Sequence, residues 1–393
     1  MNRDLAQHQE ASILDDARTL RKLEVNYTKN REQDHSAKID AAARAFDYAA
    51  CRDAWWNPPE YSLLHGTPLW EQASEAQRLV LNHLYWVAYY AQIISAEIAT
   101  IVLNQTSAAG LNTYEDFRLV CDTLDLETAQ ERCHIEAFKR IGEAVEQALF
   151  GERMFTYPMR SMYAHTMLYA DAGAISRFWR NIQMRAYAML SSGNAFIGCQ
   201  YFTVRGIRTL NGKMIQHGLA QVSLRADDAE ATPIPSRVSL YHFLDESFHF
   251  NSSRILTHDV IRSLRAPTRF ESWVANRALE GCQRDHFNVT VAIRGIFWYE
   301  PALLPTIARI LRSPVFGMDA REAAAMLWKC FGEETDGLHA SFRVHDEAVA
   351  SYKAYLDPLG YVNRANHAMA IMSGNNVERH LRANRRALRA MAA

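Results

Sequence analysis

The chain has 393 residues, 49% of them apolar, which is enough to bury a sizeable core in one large domain or two ordinary ones. Its formal net charge of −1 argues against a nucleic acid or an anionic membrane surface as a partner of the whole chain. The cysteines show no C-x-x-C spacing, no apolar leader follows Met1, and no apolar run reaches the roughly 18 residues of a membrane span. We therefore predict a cytoplasmic protein without a disulfide framework.

Apolar residues recur at helical spacing along almost the whole chain. The predicted helices cover residues 4–24, 36–54, 74–106, 113–150, 159–190, 192–222 and 236–264, followed by shorter helical stretches and a basic tail. Prolines and glycines mark the breaks, such as Pro58 and Pro59 before 74–106 and Gly151 after 113–150. The pattern predicts an all-α fold. We expect an N-terminal helical extension at 1–60, a helical bundle at 61–265 and a C-terminal helical region packed on the bundle at 266–393.

Two Glu-x-x-His pairs lie inside long predicted helices: Glu131 with His134, and Glu246 with His249. Positions i and i+3 of a helix share one face, about 5–6 Å apart, so each pair can direct a carboxylate and an imidazole at the same point. One such pair is a weak signal, because helix surfaces produce it by chance. Two pairs on facing helices of a bundle core can hold a pair of metal ions.

Glu97 is a further candidate ligand. It stands in a strongly apolar helical segment, where a buried carboxylate needs a compensating charge. Glu131 follows 34 residues later, which is the distance from the middle of one long helix, around a short turn, to the middle of the next. The alternative interpretation is a glutamate on a narrow polar stripe beside Gln92 and Ser95. We favour the metal ligand.

His242 and Asp245 extend the second pair. His242 lies one turn before Glu246 and faces the same way, so it can supply a third imidazole; the alternative is a core histidine bonded to a backbone carbonyl. Metal-bound imidazoles usually donate their other N–H to a carboxylate, which fixes the tautomer. Asp245, next to Glu246, is well placed to reach His134 in this way across the bundle.

The order of these residues resembles the ferritin-like di-iron carboxylate oxygenases, a superfamily that includes ribonucleotide reductase small subunits, bacterial multicomponent monooxygenase hydroxylases and acyl-ACP desaturases. That order is Glu97, Glu131-x-x-His134 and Asp245-Glu246-x-x-His249. The spacing His242-x-x-x-Glu246-x-x-His249 is similar to the last ligand helix of the p-aminobenzoate N-oxygenase family, which oxidises arylamines to nitro compounds. The resemblance is one of motifs and covers roughly residues 75–265. It implies a ferritin-like bundle with the metal ligands Glu97, Glu131, His134, His242, Glu246 and His249.

The third ligand helix, predicted at 192–222, departs from this pattern because it contains no acid. By analogy with the reductase small subunit, the missing glutamate would stand near Ile197. The alternatives are Asp171 from the preceding helix, Gln200 as a neutral oxygen donor, or one weakly bound metal. Glu127, one turn before Glu131, is interpreted as a surface residue.

These observations predict a non-haem di-iron oxygenase that activates O2 at two iron ions and hydroxylates, N-oxygenates or desaturates a small organic substrate. Histidine and carboxylate ligands suit iron, with manganese as the alternative. We expect an external electron donor and a homodimer, and neither a nucleic acid nor a membrane as partner. The alternative is a non-catalytic ferritin-like subunit of a multicomponent oxygenase, which would bind no metal. An iron-storing ferritin fits less well, because the chain is more than twice the usual four-helix length.

Overall fold

The computed structural model describes residues 15–155, 174–295 and 304–392. These ranges contain no strand, and 78% of the structure is helical, which confirms the predicted all-α fold. The helices are α1 (Ala17–Glu32), α2 (Ser36–Arg44), α3 (Tyr48–Cys51), α4 (Pro68–Gln72), α5 (Glu75–Leu111), α6 (Arg118–Phe150), α7 (Ala174–Gly193), α8 (Ala195–Leu219), α9 (Gln221–Leu224), α10 (Ile234–His258), α11 (Arg269–Gly295), α12 (Leu304–Arg312), α13 (Ala320–Phe331), α14 (Asp336–Leu356), α15 (Arg364–His367) and α16 (Val377–Ala392).

Four long helices, α5, α6, α8 and α10, form the centre of the fold. Helix α5 packs along α6, and α8 packs along α10; α5 also contacts α8, and α6 contacts α10. The four helices therefore enclose a common interior. The predicted helices at 74–106, 113–150, 192–222 and 236–264 overlap these four over most of their lengths.

The ends of the central helices follow from local side-chain chemistry. Ser74 and Gln77 form a capping box at the start of α5, so two otherwise free backbone N–H groups are satisfied. Gly151 ends α6 with a left-handed φ of 69°, which a residue without a Cβ adopts at little cost. Asn194 caps α8 by accepting from the backbone N–H of Ile197.

Helix α5 is the core helix of the bundle. All residues from Leu81 to Gln92 are buried, so this part of the helix is covered on every side. By length and composition alone α5 would be able to cross a membrane, but 67% of its most apolar window is buried inside the protein. A helix buried in a protein core has the same composition, because both environments exclude water.

The other helices surround this centre. Helices α1 and α2 pack on α6 and α10, α7 packs on α5 and α8, and α11 and α14 pack on α8. One hydrophobic core includes residues from all three predicted regions, for example Ile39, Trp86 and Leu388. The domain boundaries themselves stay a prediction. The arrangement matters for the site, because α1 and α2 lie against the two helices that carry the Glu-x-x-His pairs.

Candidate metal centre

All of the predicted ligand side chains meet in the interior of the bundle. They are Glu97 on α5, Glu131 and His134 on α6, and His242, Glu246 and His249 on α10. None of them is more than 8% exposed. Carboxylates and imidazoles are rarely buried together unless they neutralise one another or bind a metal. The described part of α8 contributes no carboxylate to this cluster.

The donor atoms fall into two groups, within each of which they lie no more than 4.8 Å apart. The first group is Glu97, His134, His242 and Glu246, and the second is Glu131, Glu246 and His249. Glu246 belongs to both groups. His249 Nδ1 lies 2.9 Å from Glu246 Oε1 and 3.4 Å from Glu131 Oε1, so the second group is compact.

His134 is held from outside the cluster by an acidic side chain on the facing helix. Its Nδ1 faces Glu131 and Glu97, and its Nε2 lies 3.2 Å from Asp245 Oδ2. Asp245 Oδ1 accepts in turn from the ring Nδ1 of His35, at 2.8 Å, and from the backbone N–H of His35. Since an ionised carboxylate can only accept, Nε2 of His134 carries a proton, and the neutral ring would present the lone pair of Nδ1 to the cluster.

His249 is held by a neutral side chain of the opposite helix, as His134 is held by an acidic one. Its Nε2 lies 2.9 Å from Gln130 Oε1. The amide nitrogen of Gln130 donates to Asn30 Oδ1 at 2.9 Å and to Asp34 Oδ1 at 3.3 Å, which fixes the amide with its oxygen towards His249. The sequence analysis missed Gln130. Its position in the sequence could have identified it, because Gln130 stands directly before Glu131 just as Asp245 stands directly before Glu246.

His242 faces the cluster from one turn earlier on α10. Its Nε2 lies 3.2 Å from Glu97 Oε1 and 3.7 Å from Glu246 Oε1. The rings of Tyr90 and Phe138 pack edge-on against the imidazole, with centroids 5.5 and 5.0 Å away. Neither ring nitrogen has a hydrogen-bond partner among the described residues, so the expected alternative of a histidine bonded to a backbone carbonyl is not what the structure shows.

The acids of the cluster are held in different charge states. Burial, together with the neighbouring carboxylates of Glu131 and Glu246, raises the pKa of Glu97 well above its usual range. Burial would also raise the pKa of Glu131, but hydrogen bonds from His134 and His249 lower it below its usual range. Without a metal, the proton therefore resides on Glu97 and the negative charge on Glu131.

The histidines show the same division. Burial lowers the pKa of His242 well below its ordinary value, so that ring is neutral. Burial also disfavours charge on His134, but the hydrogen bonds to Asp245 and Glu131 raise its pKa to about 10. The pKa of His249 is likewise raised, against burial, by Glu246 and other nearby carboxylates. In the metal-free cluster, the positive charges of protonated His134 and His249 thus offset the negative charge of the ionised carboxylates.

The residues proposed to replace the missing acid of α8 lie elsewhere. Ile197 is buried in the first turn of α8 in an apolar cluster with Phe196 and Val274, so its predicted place at the metal site is wrong. The side-chain oxygen of Gln200 accepts from the hydroxyl of Tyr187 at 3.1 Å, and Gln200 belongs to neither donor group. Asp171 lies outside the described residues.

Glu127 is buried, not a surface residue as the sequence suggested. Its Oε2 accepts from Arg205 Nη1 at 2.5 Å, and its Oε1 accepts from the hydroxyl of Ser252. Arg205 comes from α8 and is only 4% exposed. Its Nη2 lies 4.0 Å from Glu131 Oε1. The third ligand helix therefore brings a cation, not an acid, to the carboxylate cluster. The prediction failed because the partner of Glu127 is distant in sequence.

A cavity of about 520 Å³ opens beside the cluster. Its wall includes Glu97, Glu131, His242 and Glu246, together with apolar side chains of α5, α7, α8 and α11. Trp273, which also lines it, is 59% exposed, so the cavity extends from the cluster towards the surface at α11. Ligand sites have this size and this mainly apolar lining with a few convergent polar groups.

The cluster could hold metal. Both oxygens of Glu97, Nδ1 of His134 and Nε2 of His242 are buried and have no partner in hydrogen-bond geometry among the described residues. Leaving such atoms unsatisfied is costly, whereas a cation between them would be bound by all of them. Neither donor group contains a cysteine, and carboxylate and imidazole donors suit iron or manganese. The residues therefore fit a bound metal, and Glu246 belongs to both donor groups.

Comparison with known proteins gives one family. The sequence profile described as acyl halogenase CylC-like matches residues 18–392, nearly the full length of the chain. The chain matches no curated protein and no solved structure.

Proposed function

The chain belongs to the acyl halogenase CylC-like family, a family of iron-dependent enzymes of the di-iron type, and we propose that it is an O2-dependent di-iron halogenase acting on an acyl substrate. The observation that carries the proposal is the buried cluster of three glutamates and three histidines at the inner end of a mainly apolar cavity. The resemblance to the di-iron oxygenases thus agrees with the family at the level of enzyme type. The nearer resemblance to the p-aminobenzoate N-oxygenases stays a prediction.

The chain's own residues would bind and orient the metal pair. His134, His242 and Glu97 offer donors for one ion, Glu131 and His249 for the other, and Glu246 for both. Iron bound in this way supplies the reduction of O2 and the oxidising power that the substrate requires. Asp245 holds His134 in the tautomer that presents a lone pair to the ion. Burial of the cluster excludes bulk water, which protects a reactive site from side reactions.

The cavity would bind the acyl chain. Ile93, Leu103 and Val204 line it, and apolar walls favour a hydrocarbon chain through the hydrophobic effect. The acyl group would lie with a C–H bond towards Glu97 and Glu246 and its polar end towards the exposed mouth at α11.

The reaction balances with an external reductant. One substrate hydrogen leaves as a proton and a halide takes its place on carbon, which removes two electrons from the substrate and halide together. O2 takes up these two electrons and two more from a donor, and with protons from solvent and substrate it becomes two waters. A two-electron donor is therefore a required partner, which is the proposal's form of the predicted external electron donor.

Metal loading followed by O2 exposure tests the proposal. Protein loaded anaerobically with Fe(II) is expected to contain about two irons per chain and to show an optical change on mixing with O2. Incubation with bromide, a chemical reductant and acyl thioesters of several lengths should give a product with the isotope doublet of bromine. A matched sample of the Glu246→Gln variant should give neither.

Two outcomes would redirect the assignment. Products that gain one oxygen and no bromine would favour the oxygenase predicted from the motifs, with the same centre hydroxylating its substrate. A metal-to-protein ratio near zero would favour the non-catalytic subunit, because such a subunit binds no metal.

A further inference from the structure

The cavity-facing side of α8 carries two arginines, Arg205 and Arg208, and no acid. Its lining positions are Tyr201, Val204, Arg205, Arg208, Thr209, Gly212 and Gln216. Their spacing of three or four residues places them on one face of the helix. The residue that comes close to the cluster is Arg205, with Nη2 4.0 Å from Glu131 Oε1.

Arg205 is held by an ion pair with Glu127, which uses only one of its two terminal guanidinium nitrogens. Nη1 donates to Glu127, whose second oxygen is already occupied by the hydroxyl of Ser252. Nη2 is buried and has no hydrogen-bond partner within the described ranges. Arg205 itself lines the cavity. A desolvated N–H donor of a charged group is costly to leave without an acceptor, so the cavity beside Nη2 favours an anion.

The charge of an occupied centre favours the same ligand. Two divalent ions bring four positive charges, and Glu97, Glu131 and Glu246 bring three negative charges. The pair of Arg205 and Glu127 is neutral as a unit. Counted over the donor residues alone, without the carboxylate of Asp245 behind His134, a fourth glutamate would balance the ions, whereas the three glutamates present leave one positive charge. One monovalent anion neutralises it, and the position towards α8 is where the fourth carboxylate is missing.

We propose that Arg205 forms a halide subsite, in which a chloride or bromide ion lies between Nη2 and the metal centre on the side of α8. The proposal rests on the proposed function, since the halogenation of an acyl group consumes a halide. The subsite places that halide in the cavity that holds the acyl chain. Glu127 acts as a positioning residue, because it orients the guanidinium without touching the halide.

Chloride binding to Zn(II)-loaded protein tests the subsite without turnover. Line broadening in chlorine NMR should show chloride in exchange with the protein, and bromide should compete for the same place. The doubly substituted Arg205→Met, Glu127→Gln protein removes the cation without leaving a buried charge unpaired. Its chloride affinity should fall roughly tenfold or more, the loss of a charge-assisted hydrogen bond. Its zinc content should stay at that of the unmodified chain.

Arg277→Gln is the matched control. Arg277 also lines the cavity, but its side chain is 49% exposed and pairs with Glu280, so its loss should leave chloride binding unchanged. The single variant Arg205→Lys adds a second test, because lysine can keep the ion pair with Glu127 but lacks the forked second nitrogen. It should bind zinc normally and chloride weakly.

Four results would overturn the subsite. They are chloride affinity unchanged in both Arg205 variants, equal loss in Arg277→Gln, full chloride binding after zinc is removed with EDTA, and displacement of chloride by octanoate but not by bromide. The last would assign Arg205 to a substrate carboxylate. Apart from the EDTA result, each of these is obtained with the zinc content of the protein intact. Failure of the proposed function would appear instead as absent metal, or as an oxygenated product without bromine, in the unmodified chain.

Discussion

The two Glu-x-x-His pairs each supply one glutamate and one histidine to the cluster, and they differ in the residue that is hydrogen-bonded to the outer nitrogen of the histidine. His134 on α6 bonds through Nε2 to Asp245 on α10, and His249 on α10 bonds through Nε2 to Gln130 on α6. In both cases the partner is the residue just before the glutamate of the opposite pair. One partner is a carboxylate and the other a neutral amide.

The difference predicts that the two donor groups bind metal with unequal affinity. A carboxylate behind an imidazole makes the ring a stronger donor than an amide does. The His134 end also has four donor residues, with Glu97 and His242 among them, whereas the His249 end has three. We therefore expect one tightly bound ion at the His134 end and a weaker one at the His249 end.

Glu246→Gln should have the largest effect, because Glu246 is the donor that the two ends share. We expect both ions to be lost and the iron content to fall from about two per chain to near zero. Helix content should be unchanged, since packing of the long helices does not depend on this side chain. Metal analysis and circular dichroism measure the two quantities. Glu136→Gln, at an exposed position of the same helix as Glu131, is the control. Retention of one ion would show that Glu246 serves a single position.

Metal affinity should rise steeply with pH. The pKa of His134 is raised to about 10, against burial, by its bonds to Asp245 and Glu131, so the free ring is protonated below that pH. A metal must displace this proton, and the affinity gains roughly tenfold per pH unit for each proton displaced. Zinc titrations by calorimetry at several pH values, in buffers of different ionisation enthalpy, count the released protons. An affinity independent of pH between about 6 and 8 would contradict the charge states described for the cluster.

Asp245→Asn and Gln130→Leu separate the two ends. The first should weaken the tight ion by about ten- to a hundredfold, because an amide can present its N–H to the ring and favour the wrong tautomer. The second should weaken the other ion by a smaller factor, since only a neutral acceptor is lost. Manganese titration followed by electron paramagnetic resonance resolves the two steps. Asp259→Asn, at the end of α10, is a control outside the cluster. The comparison fails if both variants weaken the same step.

The smallest effects should come from the outer partners supplied by α1 and by the residue before α2. His35→Gln removes the ring that donates to Asp245 but keeps the backbone N–H that donates to the same oxygen. Asn30→Ala removes two bonds that hold Gln130, one accepted from its amide nitrogen and one donated to its amide oxygen. We expect each to cost only a few-fold in the affinity of its own ion, measured by the same manganese titration. His35→Gln as damaging as Asp245→Asn would mean that the ring of His35, not the carboxylate, sets the tautomer.

Some expectations about partners and location stay predictions, namely a homodimer, a cytoplasmic location, and no nucleic-acid or membrane partner.

The predicted central helices agree with the observed ones for a physical reason. Helical periodicity is local, so the alternation of apolar and polar residues identified the central helices. The capping residues Ser74 and Gly151 set ends close to those predicted.

The sequence by itself determined the side chains that can share one face of one helix. Glu131 with His134, and His242 with Glu246 and His249, are fixed at one turn's spacing in any α-helix. The tertiary structure decided everything that depends on how one helix is rotated and shifted against another. It placed Gln130 and His35 behind the ligands, buried Glu127 against Arg205, and turned Ile197 into an apolar cluster. Packing of side chains distant in sequence sets that register, and no local pattern encodes it.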